Sequence, residues 1–294
     1  MIKKIALVCL LAMLSGCLTG CGSADTKENT SSLPESTVSQ QEKNIASESE
    51  SIVSEQESTV SEAEQSKSDD VQTYSLDEGT LTIYSDSYFD NGDSDRVDGS
   101  AVKKVVIKSG VTKIDDEGFR EYKALMETEI ADTVKNIGNY AFFECTALTD
   151  ITMPDSVTDI GDGIFEGCTA LSSVVLSKNL SAISNNTFSE CESLSGIVVY
   201  DGTVSVGEYA FDGCTGLTSI VLPDNMTDIG QWAFSDCTSV KSIEIPDGIT
   251  KIDLGAFFGW TEEQTISVKG KVTAPDTWDV NWNKGCNAKI EWNV

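Results

Sequence analysis

The chain has 294 residues, 48 acidic against 20 basic, a formal net charge of −28 and no histidine. That balance excludes a phosphate-binding surface, which needs clustered Lys and Arg, so no nucleic-acid partner is expected. Without histidine there is no Ser-His-Asp or Cys-His catalytic scheme and no imidazole ligand for a metal.

The first element is a targeting segment, residues 1–20. Lys3 and Lys4 precede an apolar run from Ile5 to Leu14, which ends in small residues. The run is too short to span a bilayer and reads as a secretory signal. Its ending, "LSGC" and then "LTGC", resembles the lipobox of bacterial lipoproteins, which implies acylation of a cysteine. Cys21 is the expected site, because a polar stretch follows it directly; Cys17 is the alternative. Acyl chains would anchor the protein at the outer face of a membrane. The expected location is therefore extracytoplasmic, lipid-anchored and exposed on a Gram-positive cell surface.

Residues 21–70 form the next segment. From Gly22 to Asp70 there are 12 acids and 3 bases, in a background of Ser, Glu, Thr and Gln. So few apolar side chains cannot offset the entropy of ordering the chain, and the stretch reads as a disordered acidic tether.

The rest is periodic. Phe119, Phe142, Phe165, Phe188, Phe211, Phe234 and Phe257 stand 23 residues apart, with no insertion. Three residues after the five central ones come Cys145, Cys168, Cys191, Cys214 and Cys237; the end copies carry Tyr122 and Trp260 there. Apolar residues recur 11 positions after all seven Phe and 9 and 18 positions after six of them, as in Ile197, Val199 and Val206 after Phe188. A strict period over seven copies predicts a solenoid, because one copy buries too little apolar surface to fold alone and stacking shares the core. Within each unit "LTSIVLP" (Leu217 to Pro223) predicts a strand ended by proline. "MTDIG" predicts a second short extended piece, and "xxAFxxC" one helical or 3-10 turn.

The unit L-x-x-I-x-[LI]-P-x-x-[VMI]-T-x-I-G-x-x-A-F-x-x-C resembles the 23-residue leucine-rich repeats of the BspA-like, Treponema-type class. That resemblance implies a β-rich α/β right-handed solenoid of about seven coils, capped at both ends. The boundaries are 71–102 for an N-terminal cap hairpin, 103–268 for the repeats and 269–294 for a C-terminal cap. It also implies a cell-surface protein that binds a host or envelope protein or glycan, with adhesion as the outcome, and brings no catalytic residue. Ala131, Ser177 and Tyr200 replace the proline, and Ser184 and Asp253 the glycine, which should weaken local turns.

Three columns invite chemistry. The cysteines read as buried reduced thiols: stacked strands would hold their Cβ atoms about 4.8 Å apart, beyond the ~3.5–4.5 Å of a disulfide. Asp132, Asp155, Asp201, Asp224 and Asp247 read as turn formers, with a calcium ladder as the alternative. Neither column predicts a metal site, and no cofactor is expected. Ten residues after each Phe, Val175, Val198 and Val221 should stand on the exposed face of the strands, with Tyr200 and Glu244 beside them. Valine favours strands in any case, but three in a row also make a candidate partner-binding patch. The competing functions are a structural envelope lipoprotein without a specific ligand and a carboxylate hydrolase, whose mark would be acids with raised pKa values.

Overall fold

The computed structural model describes residues 72–90 and 96–293. The proposed signal segment, acylation site and tether (1–70) lie outside the described residues. None of the described helices is long and apolar enough to cross a membrane.

The described chain opens with a hairpin, β1 (Tyr74–Asp77) against β2 (Thr80–Ile83), turned by Glu78 and Gly79. A single helical turn follows, α1 (Ser87–Asp90), and then a 3-10 turn at Gly99–Ala101. From there each coil contributes a longer strand and a two-residue strand. These are β3 (Lys104–Ile107) and β4 (Lys113–Ile114), β5 (Glu127–Ile130) and β6 (Asn136–Ile137), β7 (Asp150–Thr152) and β8 (Asp159–Ile160). They continue as β9 (Ser173–Val175) and β10 (Ala182–Ile183), β11 (Gly196–Val198) and β12 (Ser205–Val206), β13 (Ser219–Val221) and β14 (Asp228–Ile229), β15 (Ser242–Ile245) and β16 (Lys251–Ile252). The last two long strands are β17 (Thr265–Val268) and β18 (Lys289–Trp292).

Register follows the period. Ile197 lies opposite Ile220, Ile243 opposite Ile266 and Ile229 opposite Ile252, all in parallel pairs. Because strand side chains alternate sides, this puts Ile151, Val174, Ile197, Ile220 and Ile243 into one buried column. The phenylalanines form the centre of the core. All seven are fully buried, and the six successive ring pairs stack with centroids 5.2–5.7 Å apart. The stack is closed edge-on at both ends, by Phe89 on Phe119 (5.9 Å, 79°) and by Trp282 on Phe257 (6.1 Å, 89°).

Three expectations change. First, the array is longer than the seven spelled repeats. Successive long strands from β2 to β18 begin at residues 80, 104, 127, 150, 173, 196, 219, 242, 265 and 289, which makes nine turns. The caps are themselves coils: β2 pairs in parallel with β3, and β18 with β17, each one residue out of the 23-residue period. A ladder's terminal amides need a partner strand, and the caps supply one without the repeat's spelling.

Second, the "xxAFxxC" segment is a run of turns rather than a helix. Residues two before and two after each Phe take left-handed φ values, for example Asn186 (52°) and Glu190 (59°) around Phe188, which a helix cannot contain. The alternation aims N–H groups at the next coil. Asn186, Phe188 and Glu190 donate to the carbonyls of Glu208, Ala210 and Asp212 at 2.8 Å. This makes a third ladder between coils.

Third, the departures from the repeat matter less than their spelling suggests. The turn bond accepted by the Pro154, Pro223 and Pro246 carbonyls is also accepted by those of Ala131 and Tyr200. At the glycine column, Gly207 donates its N–H to Ile183 O at 2.8 Å, and Asp253 keeps the equivalent bond at 3.0 Å. A Cβ on Gly161 would lie 2.4 Å from Asn139 N, so the backbones meet more closely than side chains allow. At Ser184 the side-chain hydroxyl makes the bond to Ile160 O (2.8 Å), and the short ladder divides between β8 and β10.

Candidate functional site

The site is built on the outward side of β9, β11 and β13. With Val174, Ile197 and Ile220 pointing inward, Val175, Val198 and Val221 must point out, and they are 45, 43 and 58 % exposed. Val198 and Val221 are register partners. Beside them, two residues earlier on each strand, come Ser173, Gly196 and Ser219, and before those Ser172, Ser195 and Thr218. The last three hydroxyls are turned down onto the ladder: Ser172 Oγ donates to Thr149 O, Ser195 Oγ to Ser172 O and Thr218 Oγ1 to Ser195 O, at 2.9–3.3 Å. Nine outward positions on three consecutive coils thus carry no charge, on a protein of net charge −28.

Charge resumes on both sides of this window. On one side Asp150 is exposed, and Lys104 joins Glu127 (3.4 Å) and Glu129 (2.5 Å). On the other, Glu244 pairs with Lys269 at 2.6 Å. Glu244 is therefore a neutralised rim residue of the patch. Tyr200 stands at the strand end, half-buried and packed against the core, so it borders the face rather than lying on it. Of the five residues expected on this surface, the structure brings three valines together and puts the other two at the edge. Sequence reasoning missed the small residues. Reading the column eight residues after each Phe, with Ser173, Gly196 and Ser219 in succession, would have found them.

The other columns have structural roles. Each thiol of Cys145, Cys168, Cys191, Cys214 and Cys237 is free and buried, and donates to the carbonyl of the Phe 26 residues earlier, at 3.1–3.2 Å. Burial pushes these thiols up, Cys168 to about 12, which keeps the donor proton in place. At the same position Trp260 Nε1 donates to Phe234 O (2.8 Å), and Tyr122 donates its hydroxyl to Val97 O (2.7 Å). Cys, Tyr and Trp share one property here, a donor on an apolar body, and that was the readable signal. In the aspartate column Asp155 pairs with Lys178 (2.7 Å) and Asp247 with Lys271 (3.2 Å). Among the described residues, no three acid or thiol side chains come together in a way that could hold a metal ion.

Acids with raised pKa values do occur. Burial lifts Glu166, Glu190 and Asp212, and their acidic neighbours add to it: Glu190 and Glu144 beside Glu166, Asp212 and Asp236 beside Glu190, Asp236 beside Asp212. Opposing this, Arg120 acts on Glu166 and a Ser235 hydrogen bond on Asp212. They follow one another in successive coils of the turn ladder, side by side. A carboxyl whose folded pKa is raised costs stability at neutral pH, and that cost disappears as pH falls below its unfolded value. The ion-paired Glu129 and Asp155 are held low by Lys104 and Lys178, so their contribution is lost only at still lower pH. The melting temperature is expected to rise as pH is lowered from 7 toward about 4–5 and to fall below that. A melting temperature that drops steadily from pH 7 downward would contradict this account of the turn ladder.

A parallel β-solenoid with a 23-residue period and a ring-stacked core defines the class: this is a leucine-rich-repeat protein. The family described as BspA type leucine rich repeat region matches residues 97–215 and 181–276, in six copies, and the chain belongs to it. Among solved structures, a leucine-rich repeat protein from Bacteroides ovatus is similar at 23% identity and a TM-score of 0.56, over 76% of this chain and 63% of that one. The chain thus spans less than two thirds of that protein's length, and the likeness concerns the fold. A leucine rich cell surface protein from Faecalibacterium prausnitzii matches at 28% identity, over 66% of this chain and 61% of that one, with a TM-score of 0.43. The leucine-rich repeat protein of T. pallidum matches at 23% identity, over 69% and 87%, with a TM-score of 0.42. No curated protein matches the chain.

Proposed function

We propose that this chain is an extracytoplasmic recognition protein that binds a partner protein or glycan through the strand face carrying Val175, Val198 and Val221. The observation that carries the reading is the uncharged window itself. Strand preference accounts for each valine singly, but three on consecutive coils, with Val198 and Val221 in register and no charge among nine outward positions, make an apolar patch rimmed by charge, and such patches mark contact sites. The recognition role is non-catalytic, with adhesion as its outcome.

The chain is tethered through Cys21, acylated at a membrane, with the acidic segment as spacer. Cys21→Ser is expected to move the protein from the membrane fraction into the soluble fraction. If the variant stays with the membrane while Cys17→Ser releases it, the acylated residue is Cys17.

The binding face is tested by Val198→Lys. The side chain is exposed and its neighbours are serines and valines, so a lysine can reach water without disturbing the core. Partner binding to cells or envelope fractions is expected to fall by at least about tenfold, as for a truncated hot spot, while the melting temperature moves by no more than about 1–2 °C. Binding that survives the substitution would remove this face from consideration.

A further inference from the structure

Gly196 occupies the middle of the uncharged window, and nothing inside the molecule requires a glycine there. Among the described glycines it alone has neither a left-handed φ nor any atom nearer than 3.9 Å to where a Cβ would stand. Glycine inside a strand weakens it, so the residue costs stability without a return from its own fold.

Several other glycines of this chain show what such a position accommodates. Aromatic side chains of a neighbouring coil or cap lie where their Cβ would be: Tyr122 at Gly99, Tyr140 at Gly163, Trp232 at Gly255 and Phe258 at Gly285, at 2.1–3.2 Å from the added atom. In each case the missing side chain lets a ring settle on backbone. Gly196 offers the same bare backbone, between Ser173 and Ser219 and next to Val198, with no ring of its own chain on it. It opens outward, onto the face already assigned to partner contact.

The charges nearby select the partner. Asp201 and Asp224 follow the strands of Val198 and Val221, are exposed, and form no ion pair among the described residues, whereas Asp155 and Asp247 in the same column are paired with lysines. A second copy of this chain would bring more negative charge to the same place. A sugar would look for an exposed aromatic face, and the window has none. We infer that the strand face accepts a protein segment that lays an aromatic side chain on Gly196 and extends Lys or Arg toward Asp201 and Asp224. A flat ring supplies large apolar contact at low entropic cost, and the unpaired acids add salt-sensitive steering. This inference rests on the strand-face reading above and specifies its partner.

The test pans a phage-displayed random peptide library against the immobilised full chain. The expected result is enrichment of peptides with an aromatic residue next to Lys or Arg. Their affinity should fall at least about tenfold on Gly196→Val, which suits a strand and should leave the melting temperature equal or higher. Asp201→Asn with Asp224→Asn should weaken the same peptides several-fold and flatten their salt dependence. Enrichment of neutral or acidic peptides, no enrichment at all, or undiminished binding to Gly196→Val would overturn the inference. Val198→Lys separates the two levels. Peptides lost on Val198→Lys but retained on Gly196→Val sink the glycine site and leave the strand face standing; peptides retained on both sink both.

Discussion

Phe188→Ala is expected to lower the unfolding free energy by about 3–5 kcal/mol, the range for deleting a fully buried aromatic. Phe188 is stacked 5.6 Å from Phe165 and 5.3 Å from Phe211, with no exposed surface. Neither neighbouring coil can collapse into the gap, because each is held to the Phe188 coil by backbone hydrogen bonds: β7 to β9 on one side, β10 to β12 on the other, and the turn run on both. The loss is therefore close to the full transfer and cavity terms. The defect lies mid-array, so it should also weaken the coupling between the two halves. Stability approximates a sum of coil and interface terms in such arrays, and the unfolding transition should broaden or split. Chemical denaturation with hydrogen exchange measures both. A loss below about 1 kcal/mol with a single sharp transition would mean that the ring column does not bear the array's stability.

The second large effect is expected from ending the chain after Val268. This removes β18, which pairs with four residues of β17, and Trp282, which closes the ring stack at Phe257. It also removes the bonds from Gly255 N–H to Asn281 O, Gly259 N–H to Gly285 O and Asn287 N–H to Trp260 O. The last repeat would then face water with its core side open and its ladder unpaired, which invites pairing with other chains. The expected outcome is a species that self-associates at micromolar concentration and whose coil around Phe257 loses exchange protection, with the central coils around Phe188 still protected. Sedimentation and residue-resolved exchange report the two parts. A monomer with full protection at Phe257 would show that the cap is dispensable.

The two variants differ from Val198→Lys and Gly196→Val in a useful way. Inward positions carry stability and outward ones should carry recognition, and the same strand, Gly196 to Val199, holds both kinds in alternation.

Much of this was legible beforehand. The phase of the phenylalanines placed the core column, and the alternation around Ile197 placed Val198 outside. Their 23-residue spacing required equivalent residues to pair, as Ile197 and Ile220 do. The candidate face was legible for its valines, because exposure follows from strand alternation. It was not legible for Tyr200, whose position past the strand end allows it to turn back onto the core.

The sequence by itself determined that the chain is a stacked repeat, which residues point inward, and the register of its strands. These follow from periodicity, because identical coils in strict phase can share a core in only one alignment. Tertiary structure alone decided four things. The array runs to nine turns, since the cap coils pair without sharing the spelling. The turn run is a ladder, because left-handed residues such as Glu190 and Trp232 are not glycines and carry no local sign of that conformation. The thiols are donors, because the carbonyl each one meets belongs to a residue 26 positions away. The backbone at Gly196 is open, because whether a neighbour's ring covers a glycine depends on the adjacent coils and not on the glycine's own stretch of chain.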